Sequence, residues 1–106
     1  MEIDYQIIDT VAGLEKIVKR FEREKTIAVD LEADSMFHFK EKVCLIQVAA
    51  KNRSIVIDPL QIKDLSSLKF IFAGHHIQKI FHGADYDVRS LFRDFNIDDK
   101  SNHILI

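Results

Sequence analysis

Asp30 and Glu32, in the stretch TIAVDLEAD (residues 26–34), are spaced to act together. In an extended strand, side chains alternate between faces, so Ala28, Asp30 and Glu32 share one face while Ile27, Val29 and Leu31 share the other. The rise of a strand sets the two carboxylates roughly 6–7 Å apart. Like charges at that separation repel unless a cation lies between them or water screens them. The pair therefore suits a hard divalent cation, and an exposed strand end would also tolerate it.

A second group lies in FHGADYDVRSLF, residues 81–92. A strand runs out at His82, Gly83 permits a sharp turn, and Asp85 and Asp87 fall in the first turn of a helix. Ligand sites of α/β sheets gather where strands end and helices begin. Asp85 also suits an N-cap, and Asp87 suits the positive end of the helix dipole. Capping accounts readily for one acid and less well for two.

The elements that must position these residues follow from periodicity. YQIID reads as a strand, and Thr10 caps a helix that carries Leu14, Ile17, Val18 and Phe21 at helical spacing. TIAVDLE is the next strand, and VCLIQVAA is a near-continuous apolar run expected to be a central strand covered on both faces. KNRS turns the chain into IVIDP, which makes a hairpin-like pair with its predecessor and ends at Pro59. A helix is expected from Asp64 to about Ala73, then a strand at QKIFHG, then a helix from Asp85 to about Phe95 with Val88, Leu91, Phe92 and Phe95 on one side. The order β-α-β-β-β-α-β-α is a mixed α/β sheet with flanking helices. The ending NIDDKSNHILI could begin a further strand.

With 106 residues, 47% hydrophobic and 30% charged, the chain is expected to be a single soluble globular domain. A net charge of −2 excludes a binder that holds nucleic acid by bulk charge alone. The single cysteine, Cys44, sits among apolar neighbours and is expected to be a buried core thiol. No basic segment followed by an apolar run opens the chain and no stretch has the length of a membrane span, so a cytoplasmic location is the expectation.

Taken together, VDLEAD and HGADYDV resemble the first two motifs of the DEDD 3′→5′ exonucleases, in the ribonuclease D-like branch. The intervening VCLIQVAA and IVIDPL resemble the family's LIQ…DPL pattern, so the likeness spans about residues 25 to 97. It implies a ribonuclease H-like fold and a site in which Asp30, Glu32 and Asp87 are the catalytic, metal-binding carboxylates. The implied cofactors are two Mg²⁺ or Mn²⁺ ions about 3.5–4 Å apart, which activate a water and stabilise the leaving 3′ oxygen. Asp30 would bridge both ions, Glu32 would hold the one carrying the attacking water, and Asp87 would support the other. The implied substrate is the 3′ end of single-stranded RNA or DNA, released as 5′-mononucleotides.

Leu31, Met36, Phe37 and His82 border this place and are the candidate substrate contacts. Met36, Phe37 and Phe39 could stack on a terminal base or simply pack a loop, and the His82 ring could equally bond backbone beside the site. His75 and His76 read as solvated residues after a helix, Asp58 as a turn residue, and Lys40, Lys42 and Arg89 as surface charge with phosphate contact as the alternative. The family's third motif, a Tyr or His with an Asp on a later helix, has no counterpart: Tyr5 and Tyr86 lie elsewhere, and Asp98 and Asp99 follow too closely. The chain is thus expected to be a C-terminally truncated domain, weakly active or inactive alone. An apolar sheet face is expected to be left open to self-association or a covering partner. The alternative is a non-catalytic nucleic-acid-binding or interaction module on the same fold. A phospho-acceptor receiver domain, with Asp30 and Asp58 each ending a strand, fits the spacing poorly.

Overall fold

The computed structural model describes residues 5–34, 42–51, 53–74, 76–81, 89–90, 93–94 and 103–105. Its elements are β1 (Tyr5–Ile8), α1 (Val11–Phe21), β2 (Thr26–Asp34), β3 (Lys42–Ala50), β4 (Arg53–Ile57), a 3₁₀ turn (Ser66–Leu68) running into α2 (Lys69–Phe72), β5 (Gln78–Phe81) and β6 (His103–Leu105). Residues 89–90 and 93–94 are helical, within the span expected for the last helix. Among the described residues, no helix is long and apolar enough to cross a membrane.

The strands form one mixed sheet in the order β1-β4-β3-β2-β5-β6. The hairpin is as expected: β3 pairs antiparallel with both β2 and β4, and the remaining neighbours are parallel. The register lines up Gln6, Ile55, Val48, Val29, Phe81 and Leu105 across all six strands, so the sheet's order can be read along one row.

One face of the sheet carries the core. Ile27, Val29, Leu31, Val43, Ile46, Val48, Ile55, Ile57 and Phe81 bury against Leu14, Ile17, Val18 and Phe21 of α1 and against Leu68, Ile71 and Phe72. The expectation that β3 would be covered on both faces does not hold. Val43, Ile46 and Val48 are buried with the core, but Gln47 is exposed and Cys44 and Leu45 are half-buried. The opposite face presents exposed Ile7, at 65%, with Ala28, Asp30, Glu32 and Gln47.

The second helix is shorter than its apolar pattern suggested. Asp64 accepts the Ser66 N–H at 3.0 Å, and the first turn closes as 3₁₀ before four α-helical residues. That hydrogen bond holds the Asp64 carboxyl below the usual carboxylate range. Lys79 lies wholly buried on the core face of β5, and its ammonium donates to the Gly74 carbonyl at 2.8 Å, which satisfies part of a group that is costly to desolvate.

The entry to α1 is set by a side-chain cap. Thr10 is extended, and its hydroxyl accepts the Gly13 N–H at 3.0 Å. A Cβ at Gly13 would come within 2.9 Å of that oxygen, so the missing side chain permits the close approach. Lys19 and Arg20 in the last turn complement the negative end of the helix. Thr10→Ala should cost about 1 kcal/mol. Thermal unfolding should then shift down by roughly 4–8 °C, while Thr10→Ser should keep most of the stability.

Candidate active site

Asp30 and Glu32 both project from the open face of β2, exposed, with Leu31 between them facing the core at 8% exposure. The alternation read from the sequence therefore holds at these positions, and the side chain of Leu31 is packed away from the carboxylates. Across the sheet, Asp30 is paired with Gln47, which is paired with Val56, which is paired with Ile7. Glu32 is paired with Leu45. These partners are neutral, and charge reappears on the strand pair where Asp34 is paired with the exposed Lys42. On the other side of β2 the described register with β5 ends at Val29 and Phe81. The next residue in the sequence, His82, lies outside the described residues, as do Met36, Phe37, Asp85 and Asp87. Phe39, Lys40 and His75 do too.

A β-bulge lies beside Glu32. Glu32 pairs with Leu45 and Ala33 with Val43, which leaves Cys44 as the extra residue of β3. The expected core position of Cys44 is therefore incorrect. The bulge turns Val43 back to the core and leaves the thiol half-buried, with Sγ donating to the Glu32 carbonyl at 3.5 Å. Val43 and Ile46, three residues apart, can both face the core only because of that extra residue.

Asp94 was not singled out by sequence reasoning, yet it reaches this place from the segment that follows HGADYDV. Its Oδ2 accepts the Val43 N–H at 2.6 Å, and Arg93 holds both of its oxygens, at 2.7 and 3.2 Å. The one available signal was an acid seven residues, about two helical turns, after Asp87. Burial pushes the Asp94 carboxyl up, but the hydrogen bonds from Arg93 and Val43 and the charges of Arg93 and Lys42 outweigh it, so the group is held below the usual carboxylate range. A carboxyl depressed on folding adds stability that is full above its unfolded value, about pH 4, and is lost as pH falls through the lower folded value. The stability advantage of the native chain over Asp94→Asn should thus be constant above about pH 4 and shrink in more acid solution, as followed by urea unfolding.

Other sequence readings resolve simply. The Asp58 carboxylate accepts the Leu60 N–H at 3.1 Å, as a turn residue does. His76 is exposed with Nε2 3.2 Å from the Glu22 carbonyl, and Lys42 and Arg89 are exposed.

Two exposed carboxylates on one strand face offer hard oxygen donors to a divalent cation, which is the donor chemistry such ions prefer. Among the described residues, no group of three or more His, Cys, Asp or Glu converges as a metal site. Water, substrate phosphate and residues outside the described ones are the further donors such an ion would take.

The sequence profile of the 3′-5′ exonuclease family matches residues 5–103. The chain is 39% identical over 92 residues to an exosome complex component 10 homolog of Caenorhabditis elegans, covering 86% of this chain and 10% of that protein. It is 34% identical over 91 residues to the exosome complex exonuclease RRP6 of Saccharomyces cerevisiae, covering 85% and 12%. Among solved structures, RNase D of Escherichia coli superposes with a TM-score of 0.88 at 27% identity, over 97% of this chain and 27% of that one. The catalytic core of RRP6 from Trypanosoma brucei superposes with a TM-score of 0.84 at 30% identity, over 96% and 28%. The chain spans about a tenth of the length of the curated relatives it matches.

Proposed function

The chain belongs to the 3′-5′ exonuclease family, with an exonuclease fold of RRP6 and RNase D type, and from that premise we propose that it shortens single-stranded RNA from the 3′ end, weakly when alone. The observation that carries the reading is the placement of Asp30 and Glu32, side by side and exposed on the open face of β2 in a fold of this kind. RNA is preferred over DNA because the RNase D relative is described as an exoribonuclease involved in structured RNA processing.

In this reading Asp30, Glu32 and Asp87 hold Mg²⁺ or Mn²⁺. Bound ions of this kind lower the pKa of a water and stabilise charge on a leaving oxygen. The contribution of the chain itself is geometric. The core beneath β2, with Leu31 buried between the two carboxylates, fixes their separation and direction, which is what lets a site act without reorganising during reaction. Glu32 is further held at its backbone by the Cys44 thiol. Met36, Phe37 and His82 are the proposed contacts for the terminal nucleotide, the first two by packing against the base.

The reading is tested with single-stranded RNA labelled at its 5′ end, incubated with the chain and Mn²⁺ or Mg²⁺. The expected products are a ladder that shortens one nucleotide at a time while the 5′ label is retained, with release of 5′-mononucleotides and slower reaction on DNA of the same sequence. Internal cuts, or binding of the RNA without metal-dependent shortening, would overturn it.

A further inference from the structure

We infer that Asp94 is a positioning residue for the carboxylate pair, anchoring the start of β3 in the bulged register that sets Glu32 on the open face. The inference rests on the exonuclease reading of Asp30 and Glu32. β4 pairs with β3 over Ile46–Ala50, so among the described residues the first residues of β3 have β2 as their one strand neighbour. Val43, the residue adjoining the bulge, gives its N–H to the Asp94 carboxylate. The hydrogen bond joins residues 51 positions apart and ties the segment after HGADYDV directly to the bulge. The Asp94 side chain is 12% exposed, and Arg93 fixes the plane of its carboxylate.

The register at stake is consequential because a one-residue slip exchanges the faces of a strand. With the bulge, Ala33 faces Val43, and Cys44 is free to bring its thiol to the Glu32 carbonyl. Without it, Ala33 would face Cys44, Val43 would turn from the core, and the backbone under Glu32 would lose that thiol contact. Asp94 selects the first arrangement by accepting the Val43 N–H. Residues that orient metal ligands from behind typically change affinity by about tenfold or more when removed.

The test compares the native chain with Asp94→Ala and Asp94→Asn, the latter retaining an oxygen that can accept the Val43 N–H. Mn²⁺ affinity is read by electron paramagnetic resonance, and the backbone amides of Glu32, Ala33, Val43 and Cys44 by ¹H–¹⁵N correlation spectra without metal, well below the unfolding temperature. Asp94→Ala should weaken Mn²⁺ binding roughly tenfold and move the Glu32 and Ala33 amides, while Asp94→Asn restores both to near native values. Asp94→Ser, polar but too short to reach Val43, replaces the alanine variant if that one does not fold. Native Mn²⁺ affinity in the truncating variant, or an asparagine variant as impaired as alanine, would overturn the inference. If Mn²⁺ binding proves independent of Asp30 in the native chain, the metal reading fails separately. The metal-free spectra then decide on Asp94: unmoved Glu32 and Ala33 amides would sink its positioning role, and moved ones would sustain it.

Discussion

Asp30→Ala should reduce whatever Mg²⁺- or Mn²⁺-dependent hydrolysis the chain supports by roughly 100-fold or more, the rate equivalent of about 3 kcal/mol of lost transition-state stabilisation. Glu32→Ala should do the same. Both side chains are exposed on the open face and neither contributes to the core, so the variants should fold as the native chain does. Removing one of two neighbouring carboxylates also relieves their mutual repulsion, so the metal-free variants should be no less heat-stable. Gln47 provides the control. It is paired directly with Asp30 and exposed on the same face, but it carries no charge to hold a cation, and Gln47→Ala should retain most of the rate. Measurement of initial rates on 5′-labelled RNA at saturating metal, with unfolding curves for each variant, checks the set.

The largest effect on stability is expected at Phe81, the last described residue of β5 before HGADYD. It is fully buried in the row that crosses the whole sheet, and its ring lies 6.4 Å from that of Phe72, tilted by 31°. Truncation to alanine removes a large apolar surface from water and leaves a cavity that the flanking β2 strand cannot collapse into, at a cost of about 3–5 kcal/mol. For a domain whose total stability is of the order of 5–15 kcal/mol, that is a large share. Phe81→Ala should unfold some 12–40 °C lower than the native chain, given roughly 4–8 °C per kcal/mol for a domain of this size. Phe81→Leu should lose much less. A calorimetric scan of the three proteins distinguishes this from a peripheral ring, whose loss would move the transition by only a few degrees.

What the sequence made legible was governed by period. Leu14, Ile17, Val18 and Phe21 repeat at helical spacing and form the buried side of α1, and the two-residue alternation of β2 separates Asp30 and Glu32 from Leu31 as the structure does. Period fails where a single residue breaks it. In VCLIQVAA every side chain is apolar or neutral, so nothing in composition marks Cys44 as the bulge, and the apolar run conceals that Gln47 faces outward. The extra residue is imposed by tertiary contacts, the Asp94 carboxylate on Val43 and the ladder to β2, which no local pattern records. For the same reason the short strand His103–Leu105 could only be suspected: three residues carry no measurable alternation, and their place at the sheet edge depends on β5. At the site, the carboxylate pair was readable because both acids belong to one strand. Asp94 was not, because its partner lies 51 positions away.

The assignment of Asp30 and Glu32 as the metal-holding pair is tested most directly by titrating Mn²⁺ into the native chain, Asp30→Ala, Glu32→Ala and Gln47→Ala, with free Mn²⁺ read by electron paramagnetic resonance. The native chain and the Gln47 variant should bind saturably, and both carboxylate variants should bind at least roughly tenfold more weakly, a difference of about 1.4 kcal/mol or more. Equal Mn²⁺ binding by all four proteins would contradict the assignment.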